Sequence, residues 1–266
     1  MHYHELQLIA IKDGGSMKTA LRIFFLSAMA TLAATAGDLT ITYDYAAKGP
    51  LWTGGKGVET QFMNANYMKV ANEATRTDTL VDYGKGVFYT INHKDKKIQL
   101  FTFDDLVAVG DALASRSEAA ANVPGFLQGM LGGDDGDVKV ESQGSETILG
   151  REAKKYRVTL GKLVNEVSLD PTLKSPINAA AYARFTRLRG NALGLAGGNM
   201  RKVYVELSKL KGMALRSHIS GFMGTDSQMV ATAVKTTDIP ASVFALPAGY
   251  ATEDQGKKLL KSLKHE

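Results

Sequence analysis

A chain of 266 residues with a net charge of +5 and no cysteine is long enough for one sizeable core and has no disulfide to hold it. A lipobox anchor is excluded for the same reason, so stability must come from packing. Four lysines crowd into 257–264 while residues 37–255 carry a net charge of only +1, so the basic balance belongs to a tail and supplies no clustered face for nucleic acid.

Met17–Ala36 (MKTALRIFFLSAMATLAATA) reads as a secretory signal. Lys18 and Arg22 form a basic start, Ile23–Leu32 an apolar core, and Ala34-Thr35-Ala36 an A-x-A cleavage site. A membrane span needs about 20 apolar residues, and this core is shorter and ends in small residues. Cleavage is expected after Ala36, releasing a periplasmic chain that begins at Gly37 and is not an integral membrane protein. Residues 1–16 precede the basic region with which a signal normally begins. They read as a non-native upstream extension, with Met17 as the start. One domain is expected over 37–252, followed by a basic tail, 253–266.

Asp38–Ala46 alternates, with Leu39, Ile41, Tyr43 and Tyr45 on one face, so a half-buried strand is expected. Residues 47–57, rich in glycine, read as a loop. Gly54-Gly55-Lys56-Gly57 lacks the helix with Lys-Ser/Thr that a phosphate loop requires. Short β segments follow at Val58–Met63, Tyr67–Glu73, Thr77–Tyr83, Val87–Asn92 and Lys97–Phe103, separated by turn formers, as in an antiparallel meander.

The period changes at Asp104–Ala121, where Leu106, Val109, Ala112 and Leu113 fall on one helical stripe and Asp104 and Asp105 sit at its positive end. The apolar segment Val123–Leu131 and the acidic glycine-rich linker Gly132–Asp137 come next. Strands are expected again at Val138–Ser142, Glu146–Leu149, Lys154–Leu160 and Leu163–Leu169, the last pair joined through Gly161. Ser175-Pro176 has the form of a helix start, with Ile177, Ala181, Phe185 and Leu188 on its stripe. Glycines within 190–199 stop that helix. Further β segments are expected at 200–207, 213–222 and 227–236, and the tail reads as frayed or weakly helical. No internal repeat stands out.

Residues suited to catalysis are sparse. After the signal there are only His93, His218 and His265, without an i, i+4 pair, which gives a metal site little support. His93 reads as a solvated hairpin tip. There is no G-x-S-x-G elbow, and Ser208-x-x-Lys211 reads as a lysine-rich turn between strands. Asp104-Asp105 is explained by a helix start and Asp134-Asp135 by a linker. Neither an enzyme nor a cofactor is expected. What stands out is the apolar inventory beside flexible glycines: Leu106, Val109, Leu113, Phe126, Leu127, Met130 and Leu131, with Phe185 farther on. Such stripes usually form core. They also suit movable helices that close over a lipid-sized hollow.

Four stretches carry a resemblance: Leu39–Tyr45, the hairpin Tyr83–Ile98, the step Glu146–Val158, and the close Asp238–Tyr250 (DIPASVFALPAGY). Over most of 38–250 the chain resembles exported bacterial proteins of the DUF4412 type and, more distantly, the LolA/LolB-like superfamily of periplasmic lipoprotein carriers. It departs from the first at Ala153, where many such sequences have cysteine. No position here matches the carriers' lid-contacting arginine.

The resemblance implies a mainly β, α+β fold. It consists of one strongly curved antiparallel sheet, an unclosed half-barrel, with two or three helices covering its concave face. In the carriers that hollow binds acyl chains. Two functions are therefore expected in competition. The first is a periplasmic, non-enzymatic carrier of a hydrophobic small molecule or of lipoprotein acyl chains, its ligand met by the eight apolar residues named above. The second is an envelope structural or interaction module with a filled core.

Overall fold

The computed structural model describes residues 37–48, 55–109, 137–178, 180, 198–221 and 226–264. Twelve strands form a single sheet: β1 (Leu39–Lys48), β2 (Gly55–Met63), β3 (Tyr67–Asn72), β4 (Thr77–Asp82), β5 (Val87–Asn92), β6 (Lys97–Thr102), β7 (Lys139–Ile148), β8 (Arg151–Leu160), β9 (Leu163–Asp170), β10 (Met213–Ser220), β11 (Asp226–Lys235) and β12 (Ala251–Asp254). Their order is β12-β6-β5-β4-β3-β2-β1-β11-β10-β9-β8-β7. The end strands β12 and β7 do not pair with each other, so the sheet is not closed into a barrel. Among the described residues, α-helix is found at 103–109 (α1), at Ala180, at Gly198–Lys209 (α2) and at Gln255–Lys264 (α3), with a 3-10 turn at Ala241–Phe244.

The meander β3–β6 is set by its turns. Asn72, Asp82 and Asn92 end successive strands, and each side-chain oxygen accepts the N–H three residues on, at 3.0, 2.9 and 2.9 Å. Arg76, Gly86 and Lys96 close the same turns with φ of 51°, 66° and 51°. An Asx residue at the start and a left-handed residue at the end reverse the chain each time. This ten-residue recurrence is an internal repeat of turns that the sequence reading passes over.

The two segments expected at 138–149 are one strand, β7, bent where its pairing with β8 shifts between Ser142 and Ser145. Gly144 there has φ 80°, the conformation a bulge allows. Leu149 and Gly150, with φ of 54° and 72°, make the two-residue turn into β8.

Two expectations about element type fail. Residues 200–207 belong to helix α2, not to a strand. Val203, Val205 and Leu207 fit a period of two, but Val203 and Leu207 also lie four apart. That second spacing prevails: both are buried against Val158, Leu160, Leu163, Val167 and Leu169, while Val205 is left outside. Nor does Ser175 cap a helix. It makes a β bridge, and its Oγ accepts the Ile177 N–H. Asn178 Oδ1 accepts the N–H of Ala180, where helical structure is found. The sheet is also mixed rather than wholly antiparallel, because β12 runs parallel to β6. The long segment after β11 brings the chain back to that edge in the same direction.

Directly paired residues share a face, so the register sorts the side chains. One face of β2–β6 carries Phe62, Tyr67, Leu80, Tyr89, Ile91 and Ile98 and is covered by Ile239, Val243, Phe244 and Tyr250. Phe244 stacks on Tyr67 with ring centroids 5.3 Å apart. The covering segment is the one whose sequence closes the resemblance. The other face, called inner below, belongs to a buried cluster that takes in β1 to β5, β10 and β11, with Ile148 of β7 and Ala153 of β8. This cluster runs from β5, near one edge of the sheet, to β7 at the other, as on the inside of a curved sheet.

Candidate ligand-binding face

The inner face of β1–β6 is ordered in rungs across the strands. The first runs Leu39, Met63, Met68, Val81, Phe88, Phe101. It is apolar throughout, flexible methionines at its centre and phenylalanines at one end. The second runs Ile41, Gln61, Val70, Thr79, Thr90, Gln99, and the third Tyr43, Glu59, Asn72, Thr77, Asn92, Lys97. Moving down the strands, the lining thus passes from hydrocarbon to a mixed rung to a polar one. This follows from the alternation of each strand, since residues i and i+2 share a face and successive rungs sample successive pairs.

Several polar members are deeply buried, Glu59, Gln61, Asn72, Thr79 and Thr90 among them. Gln61 Nε2 donates to Glu59 Oε1 at 3.3 Å, and the Tyr45 hydroxyl donates to Asn72 Oδ1 at 3.3 Å. Tyr45 also lies over Gly57, where an added Cβ would sit 3.0 Å from the ring and 2.7 Å from the Ala74 Cβ. The glycine run considered for phosphate therefore supplies, at Gly57, room for an aromatic ring. Tyr43 sends its hydroxyl to the Ala214 carbonyl at 2.8 Å, beside the shift in the β9–β10 register. Burial, with the nearby charge of Glu59, pushes the Tyr43 phenol far above its ordinary pKa, so it remains a neutral donor. The Thr90 Oγ1 has no hydrogen-bond partner among the described residues, although the residue is only 4% exposed.

Two chain segments meet this face. Phe103, first residue of α1, is buried in the cluster. Thr102 and Asp105 cap that helix reciprocally: the Thr102 hydroxyl donates to Asp105 Oδ2 at 2.6 Å and accepts the Asp105 N–H at 3.0 Å. The second segment, 171–178, leaves β9, buries Leu173 and Ile177 in the same cluster, and donates the Asn178 N–H to Ala65 O in the β2–β3 turn at 2.9 Å.

Of the expected ligand-meeting residues, Val109 is buried and Leu106 half-buried in α1. Leu113, Phe126, Leu127, Met130, Leu131 and Phe185 lie outside the described residues. The strand residues that line the inner face were absent from that expectation, which looked only to helices. Alternation in β1–β5 could have found them.

The other candidates resolve locally. His93 is no solvated tip: its Nε2 lies 3.0 Å from Asp78 Oδ2, and its Nδ1 lies 3.1 Å from the Tyr250 hydroxyl. Lys69 meets the same Asp78 oxygen at 3.0 Å. This network pins the segment before β12 to the meander. Ser208 stands in the last turn of α2, not between strands, and donates to the Val205 carbonyl at 2.7 Å. His218 pairs at the surface with Asp226, 2.9 Å away. Among the described residues no three His, Asp or Glu side chains are grouped to hold a metal ion, and no helix is long and apolar enough to cross a membrane.

No protein-family model matches the chain, and no curated protein matches its sequence; the DUF4412-type resemblance rests on the quoted motifs alone. Among solved structures the chain is similar to an uncharacterized conserved protein from Thermus thermophilus, with TM-score 0.44 and 8% identity over 82% of this chain and 91% of that one. It is similar to MucB, with TM-score 0.39 and 11% identity over 81% and 59%. A LolA superfamily protein from Nitrosomonas europaea gives TM-score 0.33 and 7% identity over 79% and 91%. All three are distant likenesses.

Proposed function

We propose that the chain is an exported, non-enzymatic carrier that holds a hydrophobic ligand of acyl-chain size against the inner face of its open sheet. The observation that carries this reading is the unbroken apolar rung from Leu39 to Phe101, set in a sheet that curves without closing. An open half-barrel can admit a chain-like ligand from its mouth, and methionines adapt to variable shape. The signal at 17–36 supports a periplasmic address. The segment 104–131, with Leu106, Val109, Leu113, Phe126, Leu127, Met130 and Leu131, and Phe185 farther on are proposed as the cover.

Native mass spectrometry of protein purified from an exporting Gram-negative host tests this. The expected result is bound mass of acyl size that organic extraction removes, leaving a protein that takes up a hydrophobic dye. Protein with no added mass and no dye uptake would overturn it. The near-complete burial of Leu39, Met63, Met68 and Val81 favours a second reading, an envelope module whose interior is filled by its own side chains.

A further inference from the structure

We infer that the second rung of the inner face seats the neutral, hydrogen-bonding head of an amphiphile, with the Thr90 hydroxyl as the group that waits for it; this rests on the carrier reading above. Thr90 pairs with Thr79 on β4 and Gln99 on β6, so hydroxyl, hydroxyl and amide stand side by side. The rung above them holds Val81, Phe88 and Phe101, which would take the hydrocarbon tail. Thr90 is more than nine-tenths buried, and its Oγ1 meets no donor or acceptor among the described residues. Buried polar groups nearly always find a partner, and an orphan calls for a specific explanation. A ligand head supplies one.

The class of head follows from what the rung holds. Thr79, Thr90 and Gln99 offer donors and acceptors but no charge. A carboxylate or ammonium brought there would lose its hydration without a counter-charge on that rung. A hydroxyl or ester head loses less and gains the missing hydrogen bond. The ligand class is therefore a neutral acyl ester or acylglycerol, rather than a free fatty acid or an alkylamine.

Three probes of equal tail length test this: monolauroylglycerol, laurate and dodecylammonium, each competing with a hydrophobic naphthylamine dye at pH 7.5. The glycerol ester should displace the dye at concentrations at least several-fold lower than either ion. Thr90→Val should weaken the ester about fivefold, the loss of roughly one hydrogen bond. Thr90→Ser, which keeps the hydroxyl, should retain ester binding. In ligand-free protein Thr90→Val should not lower the melting temperature, since no internal bond is lost.

If the dye binds but Thr90→Val leaves the ester unaffected, or the three heads compete equally, the inference fails and the carrier reading stands. A melting temperature lowered by Thr90→Val would reveal an internal partner and also overturn it. If neither dye nor any probe binds, the carrier reading itself fails and takes the inference with it.

Discussion

Tyr43 and Asp170 show how single side chains hold the curved sheet. Tyr43 reaches from β1 across β11 to the Ala214 carbonyl, a contact between residues 171 apart in sequence. No spacing in the chain announces it; alternation indicates only that Tyr43 faces inward. Tyr43→Phe keeps the ring and removes the bond, and should lower stability by about 1 kcal/mol in urea unfolding. Asp170 ends β9 and is buried. Burial pushes its carboxyl up, but hydrogen bonds from Thr172 and Arg151, with the arginine's charge, outweigh this and hold it below its usual value. A carboxyl lowered by folding adds stability that is fully present above its unfolded pKa, about 4. That stability is lost as pH falls through the lower folded value. Asp170→Asn should therefore cost about 2–3 kcal/mol at pH 7. The gap between the variant and the parent protein should narrow steadily below pH 4. A gap unchanged down to pH 2.5 would mean that the Asp170 charge does not contribute.

Elements were legible where one period ruled. The strands β1 to β6 and the hairpin β8–β9 can be read directly from alternation and turn residues, because each strand packs two different faces. Helix α2 was not, since Val203, Val205 and Leu207 alternate while Val203 and Leu207 also lie four apart, and only the partners on β8 and β9 decide between the two periods. The covering segment 239–250 has no period, and its docking depends on the ring stack of Phe244 and Tyr67, which no local pattern encodes. The tail gave the least warning. With four like charges and little to bury, 253–266 reads as frayed or weakly helical; it forms α3, whose second residue, Gly256, lies against Asp105, the residue that caps α1. A Cβ on Gly256 would lie 2.6 Å from the Asp105 Cβ. Glycine to alanine inside a helix normally gains up to about 1 kcal/mol. Here Gly256→Ala should instead cost about 1–2 kcal/mol, because the added atom must displace the cap. A rise in melting temperature would show that α3 is free of α1.

For the whole molecule, a hollow interior and a filled one predict different behaviour, and the proposed carrier depends on export. Chain recovered from the periplasm of an exporting host should begin at Gly37 by N-terminal sequencing; recovery of Met1 or Met17 there would remove the signal reading. The inner face was half legible. Its apolar rung could be assembled from the strand pattern once the register was known, but six of the eight residues expected to meet a ligand lie outside the described residues. Leu127 tests the proposed cover. There, glycines at 125, 128, 132 and 133 would permit opening at low cost. Leu127→Ala should therefore weaken dye binding several-fold while lowering stability by less than about 1 kcal/mol. Were the segment permanent core, the same truncation would cost about 2–5 kcal/mol in a protein with no dye binding to lose. Unfolding and dye titration of that one variant separate the cases, because a movable cover and a sealed core place the same side chain's contacts on opposite sides of the ledger: with the ligand in one, with the protein in the other.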